Sequence, residues 1–446
     1  MPPTDRQFWA TCRGVSDYGY VFIEDAQWNV TMNQSDVDAI LQAWDEATPE
    51  GSIDPEEGIY DIETSVYGQP PNVDGWPGVV LLYYEIGCFM GTCFDGFYRY
   101  DDELAGPHSN LMDMIHLEAT QTDPASEYML GVTAHEFNHM LQMVSDLNED
   151  IWLSESLAEA AMIVTGYDTD LSWLADFVTN PTTTFWDDGQ DVNYGAALLL
   201  GTYLYEYGGT DLLTAITADS TNGEVSVEDH LIELGLADSF SVFFGDMATA
   251  IAADSFDTAK DLGKYRYQLL EVGELNWPLE GDAGLDPLSE EITMEGGTLW
   301  VWRLDNAQNL GAVTVSFPAG EADQLEAAVV ALGATQSVGR FNSTTADWPS
   351  VTIVFDPAET VLVVLADPTH MTVGTTVTLQ FQESTADDDT ADDDQADDDS
   401  SDDDAADDDA ANDDTADDDS IGDDDSAPDD DQAGDDDDKA DSGCGC

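Results

Sequence analysis

The sequence predicts an α+β protein of three parts, and changes of pattern along its 446 residues indicate where each part ends. Up to about residue 120 short apolar runs alternate with amphipathic segments, and a mostly helical pattern follows. Short β-rich runs between Gly, Pro and Asp turns dominate over 292–381, which is typical of an antiparallel β-sandwich. We expect a sheet-and-helix domain over 5–275, a β-sandwich accessory domain over 285–383 and a disordered Asp-rich tail over 384–446.

The first part is predicted to contain a mixed sheet. Residues 20–23 and 111–117 have the composition of strands, and Val79–Tyr84 is a nearly continuous apolar run, as expected of a buried central strand. A helix is expected to begin at Ser35, with Asp38 in the role of a capping-box acid.

The region after residue 120 is predicted to hold the main helix of this domain. Asp123 is a favourable N-cap, and Pro124 suits the first helical position. Apolar residues recur at three- and four-residue steps on either side of Phe137, so this helix is amphipathic. Further helices are expected over 154–165, 194–207 (closed by Gly208 and Gly209), 226–235 and 238–254, and strands over 298–302, 312–315, 350–354 and 361–364.

The chain is extremely acidic, with a formal net charge of −87. The tail holds 31 Asp and one Lys, yet a large excess of acids remains in the first 383 residues. Nucleic acids and anionic membrane surfaces would be repelled, so neither is an expected partner. A high-salt habitat and an acidic secreted protein are both compatible with this charge. No run of eighteen apolar residues occurs, which predicts no membrane span.

Cysteines and chain ends bear on the compartment. Cys88 and Cys93 could close a short disulfide loop in an oxidising compartment, or be two buried thiols. Residues 1–12 lack the apolar core of a signal peptide, so an exported form would need a leader outside this sequence. Residues 442–446 resemble the start of bacterial C-terminal sorting signals, without the apolar helix and basic cluster that follow in those signals. Cell-surface attachment and a plain tail with two free thiols both stay open.

A five-residue motif carries the chemistry. His135 and His139 enclose Glu136 in an HExxH pattern inside the amphipathic segment. Residues four apart lie on one face of a helix, so the two histidines can hold one metal ion together. Glu136 lies beside them, where it could take a proton from water activated by the metal. The sequence therefore predicts a Zn²⁺ peptidase centre with a protein or peptide substrate.

Catalytic zinc needs a third protein ligand, and the candidates are Asp146, Glu155, Glu159 and Asp191. Asp146 is expected on the same helix as the histidines, from which it would reach round the metal poorly. Glu155 follows a connection long enough for a second helix to return alongside the first. Glu159 is one turn further on the same face, where it could accept the free ring N–H of a liganding histidine. We expect Glu155 as the ligand and Glu159 as the residue that supports a liganding histidine.

The segments HEFNHMLQ and WLSESLAEAA together resemble the gluzincin metallopeptidases, and within them the hyicolysin-like M30 family. The similarity covers roughly residues 10–215. It implies a zincin-like fold and a secreted zinc endopeptidase, with His135, His139 and Glu155 as zinc ligands and Glu136 as general base. Two departures from the family pattern are the short spacing of fifteen residues between His139 and Glu155, and Ser156 where Gly is usual.

The same resemblance suggests a group that stabilises the oxyanion. Tyr194 lies in a segment similar to the NYG-A segment of gluzincins, and it is also compatible with a core or capping tyrosine. That segment resembles the DxxYG of the aspzincins as well, which makes Asp191 the fallback third ligand. The alternative function is a non-catalytic surface-binding protein with a degenerate peptidase fold. An extracellular or bacterial cell-surface location is expected in both cases.

Overall fold

A five-stranded mixed sheet opens the fold, in the order β1-β2-β3-β7-β6. β3 is buried along its whole length and runs parallel to both neighbours, as its apolar composition predicts. β1 and β6 are antiparallel edge strands. The strands are β1 Ala10–Val15, β2 Gly19–Glu24, β3 Val79–Tyr84, β4 Cys88–Phe89, β5 Thr92–Cys93, β6 Gly96–Tyr98 and β7 Met114–Glu118.

The computed structural model describes residues 6–89, 92–167, 171–186, 193–256, 262–277, 279–318, 324–341 and 350–384. The Asp-rich tail lies outside these residues apart from Ser384, so its disorder stays a prediction. Within the described part, no helix has both the length and the hydropathy needed to cross a membrane. Cys88 and Cys93 form a disulfide between the two short strands β4 and β5.

Eight helices follow or interrupt the sheet in the described residues, so the α+β class with a helical second half is confirmed. Helices α2 and α5 were not predicted from the pattern. The helices are α1 Gln34–Asp45, α2 Ile59–Tyr67, α3 Glu127–Ser145, α4 Ile151–Val164, α5 Leu171–Thr179, α6 Tyr194–Ala218, α7 Gly223–Glu233 and α8 Phe240–Asp254.

Helix α3 carries the HExxH motif but begins later than predicted. Its N-cap is Ser126, whose hydroxyl accepts a hydrogen bond from the Met129 N–H. The Asp123 carboxylate instead accepts from the N–H of Ala125, in the turn before the helix. The prediction of Asp123 as N-cap is therefore wrong by one turn, because a second capping residue lay closer to the apolar face.

Two other helix ends also differ from the predictions. In α1 the capping box joins Asn33 and Asp36 rather than Ser35 and Asp38. Helix α6 does not end at the glycine pair: the chain kinks at Gly209, whose φ of +65° suits glycine, and then continues as helix to Ala218. The glycine pair does not end the helix, because the segment beyond it has its own buried face, on which Leu212 and Leu213 are fully buried.

The last part is a sandwich of two sheets, in the orders β13-β12-β15-β10-β8 and β14-β11-β16-β9. Every pair is antiparallel except β8–β10, which is parallel, so the expectation of a wholly antiparallel sandwich is wrong at that edge. The strands are β8 Leu279–Asp282, β9 Leu288–Met294, β10 Thr298–Asp305, β11 Leu310–Ser316, β12 Glu326–Leu332, β13 Ser337–Phe341, β14 Ser350–Val354, β15 Thr360–Asp367 and β16 Val373–Glu383.

One sandwich sheet also packs against helix α8, so both of its faces are covered. Leu299, Val301 and Val364 belong to the same core as the helices, while alternate residues of these strands fill the sandwich interior. At this boundary the Arg340 guanidinium lies 2.9 Å from Asp246 of α8 and 3.3 Å from Glu326. The apolar core is therefore continuous across residues 275–285, and the division into two domains there stays a prediction.

Candidate metal centre

Helices α3 and α4 bring His135, His139 and Glu155 together. The Nε2 atoms of the two histidines are 3.2 Å apart, and Glu155 Oε2 lies 3.2 Å from His135 Nε2 and 3.6 Å from His139 Nε2. In the described part of the chain this is the one group of three or more His, Cys, Asp or Glu residues whose ligand atoms lie within 4.8 Å of one another. These three residues could therefore hold a metal ion.

The outer nitrogen of each histidine faces a residue of α4. His135 Nδ1 lies 3.5 Å from Glu159 Oε1, and His139 Nδ1 lies 3.3 Å from the Ser154 hydroxyl. Both imidazoles thus turn Nε2 toward Glu155 and Nδ1 toward a polar partner that fixes the ring. The partner of His139 was not predicted, although Ser154 directly precedes Glu155 in the sequence.

The charges of this group depend on one another. Burial alone would lower the pKa of His135, but Glu155, Glu159 and Glu136 raise it to about 9. Burial would raise the pKa of Glu155, yet the two histidines hold it well below its ordinary range. A divalent cation would compete with a proton for His135, because a metal binds the neutral imidazole.

Glu136 is buried between α3 and the edge strand β6. Its carboxylate accepts a hydrogen bond from the Tyr98 backbone N–H, and burial raises its pKa while the two histidines oppose that shift. A Cβ at Gly96 would lie 2.9 Å from Glu136 Cγ and 2.9 Å from Val132 Cγ1. Glycine at this position therefore lets β6 approach the Glu136 carboxylate. Neither contact was predicted, because β6 is only three residues long.

Tyr194 begins helix α6 and faces the same group of acids. Burial first, and then the negative charges of Glu155, Glu136 and Glu159, raise the pKa of its hydroxyl above the ordinary value. Its ring packs against Trp173 of α5 at a centroid distance of 5.2 Å. The phenol is thus neutral and close enough to the three carboxylates for their charges to raise its pKa.

Ser156 lies where helices α4 and α6 approach each other closely. Ser156 is fully buried, and its hydroxyl donates a hydrogen bond to the Trp152 carbonyl within α4. A Cβ at Gly201 would lie 2.0 Å from the Ser156 carbonyl oxygen. Gly201 therefore allows α6 to approach the backbone of α4 closely at Ser156.

The remaining candidates do not join the group. Asp146 is the C-cap of α3 and lies outside the His–His–Glu cluster. Asp191 lies outside the described residues. His116 Nε2 is 2.8 Å from Asp102 Oδ2, and His230 Nε2 is 3.4 Å from Asp219 Oδ2, so each has an acidic partner elsewhere in the fold.

Comparison with known proteins gives no assignment. No family model matches the chain, and neither does any curated protein. Similar solved structures include PliG of Aeromonas hydrophila, a periplasmic inhibitor of g-type lysozyme, which is 14% identical over 23% of this chain and 95% of its own, at a TM-score of 0.19. PliG of Salmonella Typhimurium is 9% identical over 23% of this chain and 98% of its own, also at 0.19.

A GH115 4-O-methyl-α-glucuronidase, BtGH115A, is 10% identical over 70% of this chain and 53% of its own, at a TM-score of 0.14. At such scores these likenesses carry no argument about fold or function. The resemblance to the hyicolysin-like peptidases therefore stays a prediction.

Proposed function

We propose that this protein is a zinc-dependent peptidase with His135, His139 and Glu155 as the zinc ligands. The observation that carries the proposal is the spacing of the three ligand atoms, at 3.2, 3.2 and 3.6 Å. Atoms that each lie about 2.0–2.1 Å from a tetrahedral zinc are about 3.3 Å apart, which agrees with this spacing. Glu155 Oε2 is buried, and the nitrogens of both histidines lie close to it, as suits an atom that would share a cation with them.

Zinc in this position would supply Lewis acidity, lowering the pKa of water and polarising a carbonyl group. The protein would supply the proton transfers. Glu136 adjoins the histidines, and its raised pKa favours acceptance of a proton from water and its delivery to the leaving amine. The Tyr194 phenol would donate a hydrogen bond to the developing oxyanion.

The edge strand β6 supports a peptide as the substrate. The Glu118 N–H donates to the Asp95 carbonyl, which directs the polar backbone groups of Asp95 and Phe97 toward β7. Those of Gly96 and Tyr98 point the other way, where the Tyr98 N–H already donates to Glu136 and Gly96 lies against the same side chain. An extended peptide added along this edge would therefore pass beside the general base. The disulfide is consistent with our proposal of an extracellular location.

The test is Glu136→Gln, assayed with metal analysis and casein hydrolysis. We expect the variant to retain one zinc per chain and to lose at least about 10³-fold in kcat/KM, because the proton acceptor is gone while the ligands remain. Glu46→Gln, a change at the exposed C-cap of α1, serves as the matched control and should keep wild-type activity.

Two results would contradict the proposal. Unchanged casein hydrolysis in Glu136→Gln would exclude the proposed mechanism. Wild-type protein that binds no zinc and hydrolyses no casein would favour the non-catalytic surface-binding protein instead. Attachment to a cell surface stays a prediction, because Cys444 and Cys446 lie outside the described residues.

A further inference from the structure

A second group of oxygen atoms surrounds a small cavity behind the metal centre. The cavity of about 10 Å³ lies between the end of α3, the connection to α4 and the end of α6. Such a volume suits one ion or one water molecule. Its polar lining comes from Gln142, Asp146, Glu149, Thr217 and Asp219.

Three of these side chains are more than nine-tenths buried, and each presents an oxygen without a partner. Gln142, Asp146 and Thr217 are 5%, 7% and 4% exposed. Among the described residues, Gln142 Oε1, Asp146 Oδ2 and Thr217 Oγ1 have no hydrogen-bond partner. A buried polar atom without a hydrogen-bond partner costs roughly 1–3 kcal/mol. Three such oxygens beside one cavity therefore indicate a common ligand.

The other atoms of these side chains are already engaged, which fixes the free oxygens in place. Asp146 Oδ1 accepts from the Asn148 N–H at 2.9 Å. Gln142 Nε2 donates to Asn138 Oδ1 and, at 3.0 Å, to the Ser154 carbonyl. The amide of Gln142 is thereby oriented so that its oxygen, not its nitrogen, remains for the cavity.

The described lining of the cavity holds three acids and no Lys or Arg, and the nearest cationic group is His230, whose Nε2 lies 3.4 Å from Asp219 Oδ2. Glu149 Oε1 accepts from the N–H groups of Asp150 and Gly223. Burial, and the charges of Asp146 and Asp150, raise the pKa of Glu149 to about 7. Asp219 Oδ1 accepts from the Ser220 and Thr221 N–H groups. A cation would relieve this accumulation of acids.

We propose that this cavity is a structural Ca²⁺ site. All its donors are oxygens, which excludes the softer metals that prefer nitrogen and sulfur. Ca²⁺ accepts carboxylate, amide and hydroxyl oxygens in irregular geometry, whereas Mg²⁺ demands a near-ideal octahedron and retains waters for which the cavity has no room. The carboxylates of Asp146, Glu149 and Asp219 do not offer three ligand atoms within 4.8 Å of one another. The neutral oxygens of Gln142 and Thr217 would therefore complete the site. With few charged ligands the affinity falls in the range of about 10⁻⁴–10⁻³ M.

The ion would stabilise the turn between α3 and α4. Gln142 holds the Ser154 carbonyl, and the Ser154 hydroxyl faces His139. Calcium on Gln142 Oε1 would thus fix the spacing between the HExxH helix and the helix that bears Glu155. The site itself does not depend on the proposed peptidase activity, since none of its donors is a proposed zinc ligand.

The experiment measures Tm of the full chain, with its zinc content fixed, against CaCl₂ or MgCl₂ up to about 10 mM at constant ionic strength. Constant ionic strength keeps the screening of surface acids the same in every measurement, and the Asp-rich tail is the same in every variant. We expect Ca²⁺ to raise the Tm of wild type saturably, by about 2–6 °C, and Mg²⁺ to leave it nearly unchanged.

Two variants and a control identify the site. Asp146→Asn and Thr217→Val should each abolish the Ca²⁺-dependent shift, while Asp211→Asn, an exposed change on the same helix as Thr217, should keep it. If Asp146→Asn does not fold, Thr217→Val decides. A wild-type Tm that does not respond to Ca²⁺ would mean a water molecule in the cavity and overturn the proposal. An equal response to Mg²⁺, or a full response in both variants, would overturn it as well.

Discussion

A glutamate is buried both in the candidate metal centre and in the middle of helix α2, but the groups around its carboxylate differ between the two places. Glu155 lies between two histidines, which hold its pKa well below the ordinary range despite burial. Glu63 is 0% exposed, neither of its carboxylate oxygens has a hydrogen-bond partner among the described residues, and burial raises its pKa well above the ordinary value. Histidines that face a buried carboxylate thus lower its pKa, whereas burial without such partners raises it.

Glu155→Ala should break this comparison most strongly. The variant removes one of the three proposed ligands and leaves two histidines, which is too few to retain catalytic zinc. We expect zinc content to fall below about one tenth of wild type after dialysis and casein hydrolysis to fall with it, by at least about 10³-fold.

Asp191→Ala provides the contrast to that experiment. It should keep its zinc, because His135, His139 and Glu155 already supply the three ligands that we propose. Loss of zinc in Asp191→Ala together with retention in Glu155→Ala would transfer the site to the aspzincin pattern.

The sequence predicted the centre well where the contacts are local. His135 and His139 share a face by helical periodicity, and Glu155 and Glu159 repeat that spacing on the next helix. It did not predict the contact of Glu136 with Gly96, because β6 has three residues and its pairing with β7 is a tertiary event. Periodicity reports which face of an element is buried and not which backbone lies against it.

The same difference between local and tertiary contacts decided which strands of the fold were predicted. The central strand Val79–Tyr84 was predicted at its observed ends because an apolar run of that kind is buried whatever lies beside it. Strand β12, Glu326–Leu332, was missed because its alanines are buried only through packing against both α8 and the opposite sheet. The group of oxygen atoms around Asp146 was likewise not predicted, because the sequence there has the composition of an ordinary acidic turn.

Glu159→Gln should sharpen the comparison with a smaller effect. The carboxylate of Glu159 lies 3.5 Å from His135 Nδ1 and is one of the charges that raise the pKa of this histidine. The amide can still accept a hydrogen bond, but it carries no negative charge and so makes His135 a weaker ligand for a metal ion. We expect zinc affinity to fall by about 10–100-fold, as measured by competition with a chelator of known affinity.

Ser154→Ala is the companion change at the other histidine. It removes the hydroxyl that faces His139 Nδ1 and leaves the Ser154 carbonyl that Gln142 holds. An affinity equal to wild type in both Glu159→Gln and Ser154→Ala would show that neither partner orients a ligand.

Glu63→Gln should give the smallest effect. Glu155→Ala should cause a loss of zinc and activity, whereas Glu63→Gln should stabilise the protein, because a negative charge on the buried Glu63 is unfavourable. The pKa of Glu63 is raised in the folded protein above its unfolded value. The stability linked to this group is therefore fully present below about pH 4.5 and is lost as the pH rises through the folded pKa. Glutamine has nearly the same shape and cannot ionise, so it should remove that loss.

The measurement is the difference in Tm between Glu63→Gln and wild type from pH 5 to pH 9. The difference should be close to zero at pH 5 and should grow in favour of the variant toward pH 9, by a few degrees at most. Taking the difference cancels the titration of the many surface acids, and the exposed Glu46→Gln should show no such trend. A Tm difference that is independent of pH, or one that favours wild type at high pH, would mean that Glu63 is ionised in the folded protein and has a partner cation, which would make it resemble Glu155 after all.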